Sequence, residues 1–401
     1  MPLTGGNLLE RFNALDELLV AYELLWRPRP FYLQTLPWEH QHPNLATWLR
    51  DRSLEQAEAA HNHPQQLDAP APFGKLAERT EALSQVGQLP VRDLLPAQTR
   101  LNVDVPGRKW LQIEAFSSHL VFFRPPLHWL DWCAGKGHLG RRLLEPGQSL
   151  TCLEDDPNLV VAGRQLSLRN GLNAQHVEQD VMTADAALQL DSRHTPVALH
   201  ACGDLHVRLL KLACAAGCWQ LAVAPCCYNR IAGEHYSVLS RPAQSSKLRL
   251  SRDDLALPLS ETVTAGARVR NQRDSSMARR LAFDLLQREM RGTDDYLPTP
   301  SLASSWLNEP LRDYCQHLAN LKGLGPVPER DWDVLAKAGV QRLAQVRNLE
   351  LVRNLFRRPL ELWLVLDRAI YLAEQGYEVR LGEFCPASLT PRNLLILAER
   401  R

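Results

Sequence analysis

The stretch from Leu127 to Arg142, LHWLDWCAGKGHLGRR, constrains this chain more than any other. Leu127 to Trp132 reads as a buried strand. Glycines at 135, 137 and 140 interrupt it, and the chain restarts as a helix running into Leu143 and Leu144. Such a strand–turn–helix gathers backbone N–H groups around a small ligand, and Gly135 and Gly137 permit close approach and φ > 0. The spacing Gly135-x-Gly137-x-x-Gly140 also satisfies the dinucleotide fingerprint. Two ligand classes stay open on this stretch alone, nicotinamide or flavin dinucleotides and S-adenosylmethionine (SAM), alongside a tight turn that holds no ligand.

A chain of 401 residues is expected to form two or three domains. Its formal net charge of +1 supplies no global field to recruit nucleic acid or membrane, so any such role needs a local patch. Nine scattered cysteines with no CxxC pair fit neither a disulfide framework nor a zinc ribbon, and point to a reducing cytoplasm. The first residues, MPLTGGNLLERFNALDELL, do not resemble a signal peptide, and no apolar run is long enough to span a bilayer.

Taken in order, residues 1–104 are expected to form a helical N-terminal domain, with helices over 7–25, 44–60 and 75–86. From Leu127 strands and helices alternate, as in a doubly wound parallel sheet. Expected strands are Leu150–Leu153, His176–Glu178, Val197–Leu199 and Leu221–Ala224. Residues 229–345 break the alternation and read as a helical insertion. Residues 346–401 resume it with a helix opened by Pro359 and closed by Gly376, then a terminal hairpin. A SAM-type sheet ends in such a hairpin, whereas a dinucleotide domain continues as helix and parallel strand. The tail, with Asp131 four residues before Gly135, favours SAM.

DWCAGKGHL, LHACGDL, PCCY, the LVLDRAIYLAEQG helix and the FCPASLTPRNLLILA tail together resemble the methyltransferase-like 25 group. The resemblance covers about 105–230 and 350–401. It implies a class I, Rossmann-like, seven-stranded methyltransferase sheet that uses SAM. It also implies cofactor contacts from Asp131, Cys133, Ala134, Gly135, Gly137, Glu154, Asp155, Asp180 (or Gln179), Val181 and His200. Cys133 departs from the usual pattern, since glycine is common there.

Independently of that likeness, Glu154 ends the second strand of the alternation, where a carboxylate accepts ribose hydroxyls. His200, Cys202 and Asp204 follow the fourth strand, beyond whose carboxyl end a ligand sits. His200 or Asp204 is expected to orient the acceptor or take its proton, and Tyr228 to stack on a flat substrate or to roof the pocket. His200, Cys202, Cys226 and Cys227 can converge on one rim as a zinc site, but adjacent cysteines suit one tetrahedral ion poorly, and no metal is assigned. Two arginine runs (268, 270, 273, 279, 280 and 342, 347, 353, 357, 358) would grip RNA if they faced the pocket, and mean nothing if scattered on solvated faces. The reading is a SAM-dependent methyltransferase with a macromolecular acceptor, RNA first and protein second. A non-catalytic SAM-binding protein is the competing class.

Overall fold

The computed structural model describes residues 1–97, 100–260 and 267–400. Positions 98, 99, 261–266 and 401 lie outside the described residues, although the expected N-terminal domain, insertion and terminal hairpin segment include them. The chain forms two compact units. Met1–Val20, Leu83–Leu259 and Arg358–Arg401 make one, and Ala21–Ala82 with Ser260–Arg357 make the other.

The first unit is built on one mixed sheet. Its strands are β1 Leu3–Thr4, β2 His128–Trp132, β3 Ser149–Glu154, β4 Ala174–Glu178, β5 His194–Cys202, β6 Gln220–Cys226, β7 Glu378–Glu383 and β8 Leu394–Glu399, in the order β1-β7-β8-β6-β5-β2-β3-β4. The five from β4 to β6 run parallel, and β8 inserts antiparallel between β6 and β7. This is the expected Rossmann-like arrangement with its terminal hairpin.

Among the described residues the sheet has eight strands, however, where the sequence suggests seven. Leu3 pairs with Leu381 and Thr4 with Arg380, so the N-terminus covers the otherwise open edge of β7. A two-residue strand is too short to show a period-two pattern, and only the helix after it is legible. The same contact draws Met1–Val20 into the sheet unit, away from the helical domain expected over 1–104. The insertion boundary expected at 345 likewise falls inside a continuous helix, Trp332–Asn354.

β2 lies between β3 and β5, where the strand order reverses, so the volume beyond its carboxyl end is the natural ligand crevice. Trp129, Leu130 and Trp132 are buried, as a strand covered on both faces requires. Phe116, Leu139, Leu143, Leu150 and Val197 join Trp129 in the apolar cluster that seats the helices Gly107–Ser118 and His138–Leu143 against the sheet.

In the second unit the helices Ala267–Arg291 and Trp332–Asn354 pack together. The single helix expected over 44–60 is two, Pro43–Arg50 and Leu54–Ala60. Ser53 restarts the chain with a capping box to Gln56. No described helix is long and apolar enough to cross a membrane.

The helix Arg357–Glu374 carries a buried carboxylate, Asp367. It accepts from Tyr236 Oη at 2.6 Å, from the Leu239 and Ser240 N–H groups, and from Ser240 Oγ. These bonds tie the chain after β6 to the sheet unit. Asp367→Ala strands several buried donors at about 1–3 kcal/mol each. We expect at least about 3 kcal/mol loss of stability in denaturant unfolding; a change below about 1 kcal/mol would mean that water replaces the carboxylate.

Candidate active site at the strand ends

The glycine turn is held by two acids from adjacent strands. Asp131, the penultimate residue of β2, is buried (2% exposed) and its Oδ2 accepts the Gly140 N–H at 2.9 Å. Burial pushes its carboxyl up to about 7, against the opposing pull of the Gly140 hydrogen bond and of Arg141 and Lys109. Asp131 therefore supports the turn from beneath as a tie to the helix.

Glu154 closes β3. Gly135 N–H donates to its Oε2 at 2.8 Å and Asp156 N–H to its Oε1 at 3.2 Å. A carboxylate offers about four acceptor positions, so each oxygen keeps capacity for a further donor. Gly135 has φ +58, and a Cβ placed on it would meet nothing within 4 Å, so the turn borders open space.

Gly137 takes φ +73 as expected, and Ala134 N–H pairs with Leu153 O at 2.9 Å. Cys133 adopts φ +55 without being glycine, a strain of about 1–2 kcal/mol. Burial, with Glu154 and Asp131 nearby, pushes its thiol up to about 12. Asp155 and Asp180 are exposed and Val181 is buried. Asp180 Oδ1 accepts the Met182 N–H, and Gln179 Nε2 bonds Asp180 O and Thr183 Oγ1.

At the end of β5 the register to β6 shifts between Leu199 and Cys202. Such a bulge re-aims side chains. His200 sits in it with φ +74 and is exposed, so it is not a core histidine. Local desolvation and the Lys109 charge lower its imidazole below the ordinary value, which keeps a neutral, proton-accepting ring at the rim.

Asp204 opens the helix Asp204–Ala215, and its Oδ2 accepts the Ala232 N–H at 2.8 Å. Its own N–H donates to Arg230 O. Asp204 thus pins the loop after β6, and the position before the helix belongs to Gly203. There a Cβ would lie 1.9 Å from Arg230 O, so only glycine admits the loop.

Tyr228 corrects the sequence reading. It is fully buried, with its hydroxyl bonded to Pro225 O and Glu361 Oε1 at 3.2 Å each, and it offers no face on which a substrate could stack. The arginine runs also correct it. Arg273 pairs with Glu58 and Asp274, Arg347 with Asp274, and Arg358 with Glu361 and Glu383. Arg279, Arg280, Arg342, Arg353 and Arg357 donate to the carbonyls of Trp306, Thr299, Pro30 and Leu33, Trp26, and His61. These eight are thus engaged within the protein and form no phosphate-gripping surface.

The sequence reading passed over the brace beneath His200. Arg368 Nε donates to His206 Nε2 at 2.7 Å, and His206 Nδ1 meets Ala201 O at 3.0 Å. An arginine only donates, so the pair requires a neutral His206 with its proton on Nδ1. Burial and the Arg368 charge hold that imidazole well below its ordinary value, in agreement. A signal lies in the sequence: Asp367-Arg368 interrupts the apolar stretch from Leu362 to Leu372.

Beside His200, Cys202 Sγ and Cys226 Sγ lie 3.8 Å apart. The sulphurs of Cys202, Cys226 and Cys227 all fall within 4.8 Å of one another.

Residues 109–234, from the helix before β2 through β6 and just beyond, match the family model described as "Methyltransferase domain". The protein is a methyltransferase. Among solved structures, the 23S rRNA methyltransferase ErmE is similar at 16% identity and a TM-score of 0.24, over 60% of this chain and 97% of that one.

The Asp131 tie has a pH signature. Its folded-state value of about 7 stands above the ordinary 3.8, so the folded protein binds more protons between those values. This group's contribution to stability therefore falls as pH rises from about 4 to about 7. His138 and His176, lowered to about 4, act oppositely, so the readout is the difference between wild type and Asp131→Asn. We expect wild type to lose stability relative to the variant as pH rises through that window in urea unfolding; parallel profiles would show that Asp131 titrates normally.

Proposed function

We propose that this methyltransferase uses SAM and transfers its methyl group to RNA at the rim formed by the ends of β2, β3, β5 and β6. The arrangement of Glu154 carries the cofactor reading. Its oxygens are oriented by Gly135 and Asp156 yet retain acceptor capacity for two ribose hydroxyls. The open space at Gly135 suits the amino-acid end, with Cys133, Ala134 and Gly137 shaping that turn. Asp155, Asp180 and Val181 border the side where a nucleobase would lie. SAM supplies an electrophilic methyl on sulfonium sulphur. The chain must align the acceptor for in-line transfer and accept its proton, a task suited to neutral, exposed His200 braced by His206 and Arg368.

Cations at the rim support the acceptor class. The Lys109 charge reaches Asp131, His138 and His200, and that of Arg230 reaches Cys202 and Cys227. Both side chains are exposed, and half-buried Lys136 lies within the turn itself. Together they favour a polyanion over a neutral peptide. Narrower kinship with the methyltransferase-like 25 group is supported by where its motifs fall: DWC runs across the end of β2, HAC ends β5 and PCC runs across the end of β6.

Calorimetric titration with SAM and its demethylated product should show micromolar binding. Glu154→Ala should weaken it about ten- to a hundred-fold, since hydrogen bonds to a charged group contribute about 1.5–3 kcal/mol. Equal affinities in both proteins would remove Glu154 from the cofactor site. In a labelled-methyl assay on RNA extract, His200→Ala should lower turnover by about 10²-fold while SAM affinity holds. Affinity for RNA should fall with salt, with a shallower slope in Lys109→Glu/Arg230→Glu; transfer to protein alone would overturn the RNA assignment.

A further inference from the structure

We propose that Cys202, Cys226 and Cys227 form a binding site for one zinc ion, with a fourth coordination position open on the exposed side of the triad. This goes beyond the SAM reading and does not depend on it.

The geometry is specific. Zn–S bonds of about 2.3 Å in a tetrahedron place sulphurs about 3.8 Å apart. Cys202 Sγ and Cys226 Sγ are 3.8 Å apart, and the third sulphur is within 4.8 Å of both. The three thiols thus already approximate one face of a thiolate tetrahedron.

Two backbone irregularities produce the convergence. The bulge in β5 brings Cys202 opposite Cys226 across the parallel pair, after the register shift at Leu199. Adjacent cysteines in an extended strand would point to opposite faces. But β6 ends at Cys226, and Cys227 has φ +47. That left-handed turn abolishes the alternation and brings both sulphurs together. The objection that neighbouring cysteines cannot share an ion applies to a regular strand and lapses here. A non-glycine residue at such φ is strained, and the strain persists only where the surroundings enforce it.

The charge balance is also favourable. Three thiolates and one divalent cation leave a net −1. Arg230 acts on Cys202 and Cys227, and Arg392 on Cys227. Without metal the thiols face weak acceptors, with Cys202 Sγ 3.4 Å from His200 O and Cys226 Sγ 3.7 Å from Ala201 O. Loading forms three Zn–S bonds and releases each protonated thiol's proton to solvent, with no change of oxidation state. Cys226 is buried while Cys202 and Cys227 are half-buried, so the accessible side belongs to the fourth ligand. Three protein ligands with one open position is the pattern of reactive zinc sites. It lies on the side of the two half-buried cysteines, where it can take an oxygen or nitrogen donor.

The test uses the full chain, reduced, stripped of metal and titrated anaerobically with Co²⁺ and then Zn²⁺. We expect thiolate-to-cobalt charge transfer and tetrahedral visible bands that saturate at one equivalent, then bleach with one equivalent of Zn²⁺. Cys227→Ser, at a half-buried position that tolerates a hydroxyl, should lose the one-equivalent endpoint. Cys214→Ser, outside the triad, should keep it. Should Cys226→Ser fail to fold, Cys227→Ser still decides. No cobalt–thiolate band in folded protein whose nine cysteines are all shown reduced would overturn the proposal. So would a Cys202–Cys226 disulfide, mapped by mass in the native protein, that re-forms in the presence of Zn²⁺; this would assign a redox pair instead. None of these readouts requires SAM, so failure here and failure of SAM binding are separate results.

Discussion

The crevice depends on a buried carboxylate in an otherwise apolar central strand. Asp131 is paired on both sides in the sheet, opposite Cys152 and Val197, and so has almost no freedom of its own. Its bond to the Gly140 N–H fixes the first turn of the next helix relative to β2. Between these two points the chain must complete the turn through Cys133, Gly135 and Gly137, all with positive φ. Glu154 on the neighbouring strand then holds the middle of that turn through Gly135. Two acids on adjacent strands thus hold the loop at two points, and the half-buried one, Glu154, is the one with acceptor capacity to spare.

The other half of the rim is organised by irregularity. A regular β5, buried at consecutive positions from Thr195 to Ala198, would continue covered on both faces, and His200 would have no reason to face outward. The bulge exposes it, and His206 with Arg368 supports the backbone at Ala201 from below. Gly203 lets the loop after β6 lie against the strand end, and Asp204 pins that loop at Ala232. The thiol triad draws on the same bulge together with the left-handed turn at Cys227. Groups placed at one rim in this way come from positions 131 to 368, which no local pattern relates.

The arginines show how little a residue type says without its surroundings. Eight arginines of the two runs that look like a phosphate-binding face are consumed by backbone carbonyls and by Glu58, Asp274, Glu361 and Glu383. Several of these arginines are buried, where an unpaired guanidinium would be costly, so folding itself demands the partners. The exposed cations whose charge reaches the rim, Lys109 and Arg230, lie far apart in the sequence and belong to neither run.

What was legible in the sequence is what short-range chemistry dictates. Alternating strands and helices, the glycine turn, the position of Glu154 and the terminal hairpin all follow from period, turn chemistry and the rule that ligands sit beyond parallel strand ends. Cys133 could be singled out because glycine is usual at such a turn. Long-range contacts decided the rest. Leu3–Thr4 is a strand only because β7 has a free edge, and the chain's division into units follows contacts that join its two ends. Tyr228 is interior because Glu361, 133 residues on, receives its hydroxyl. Cys226 and Cys227 share a side because the strand ends between them in a left-handed turn. Hydrophobic periodicity is written within one element, whereas burial, hydrogen-bond partners and backbone strain are properties of elements brought together, and only the folded chain has them.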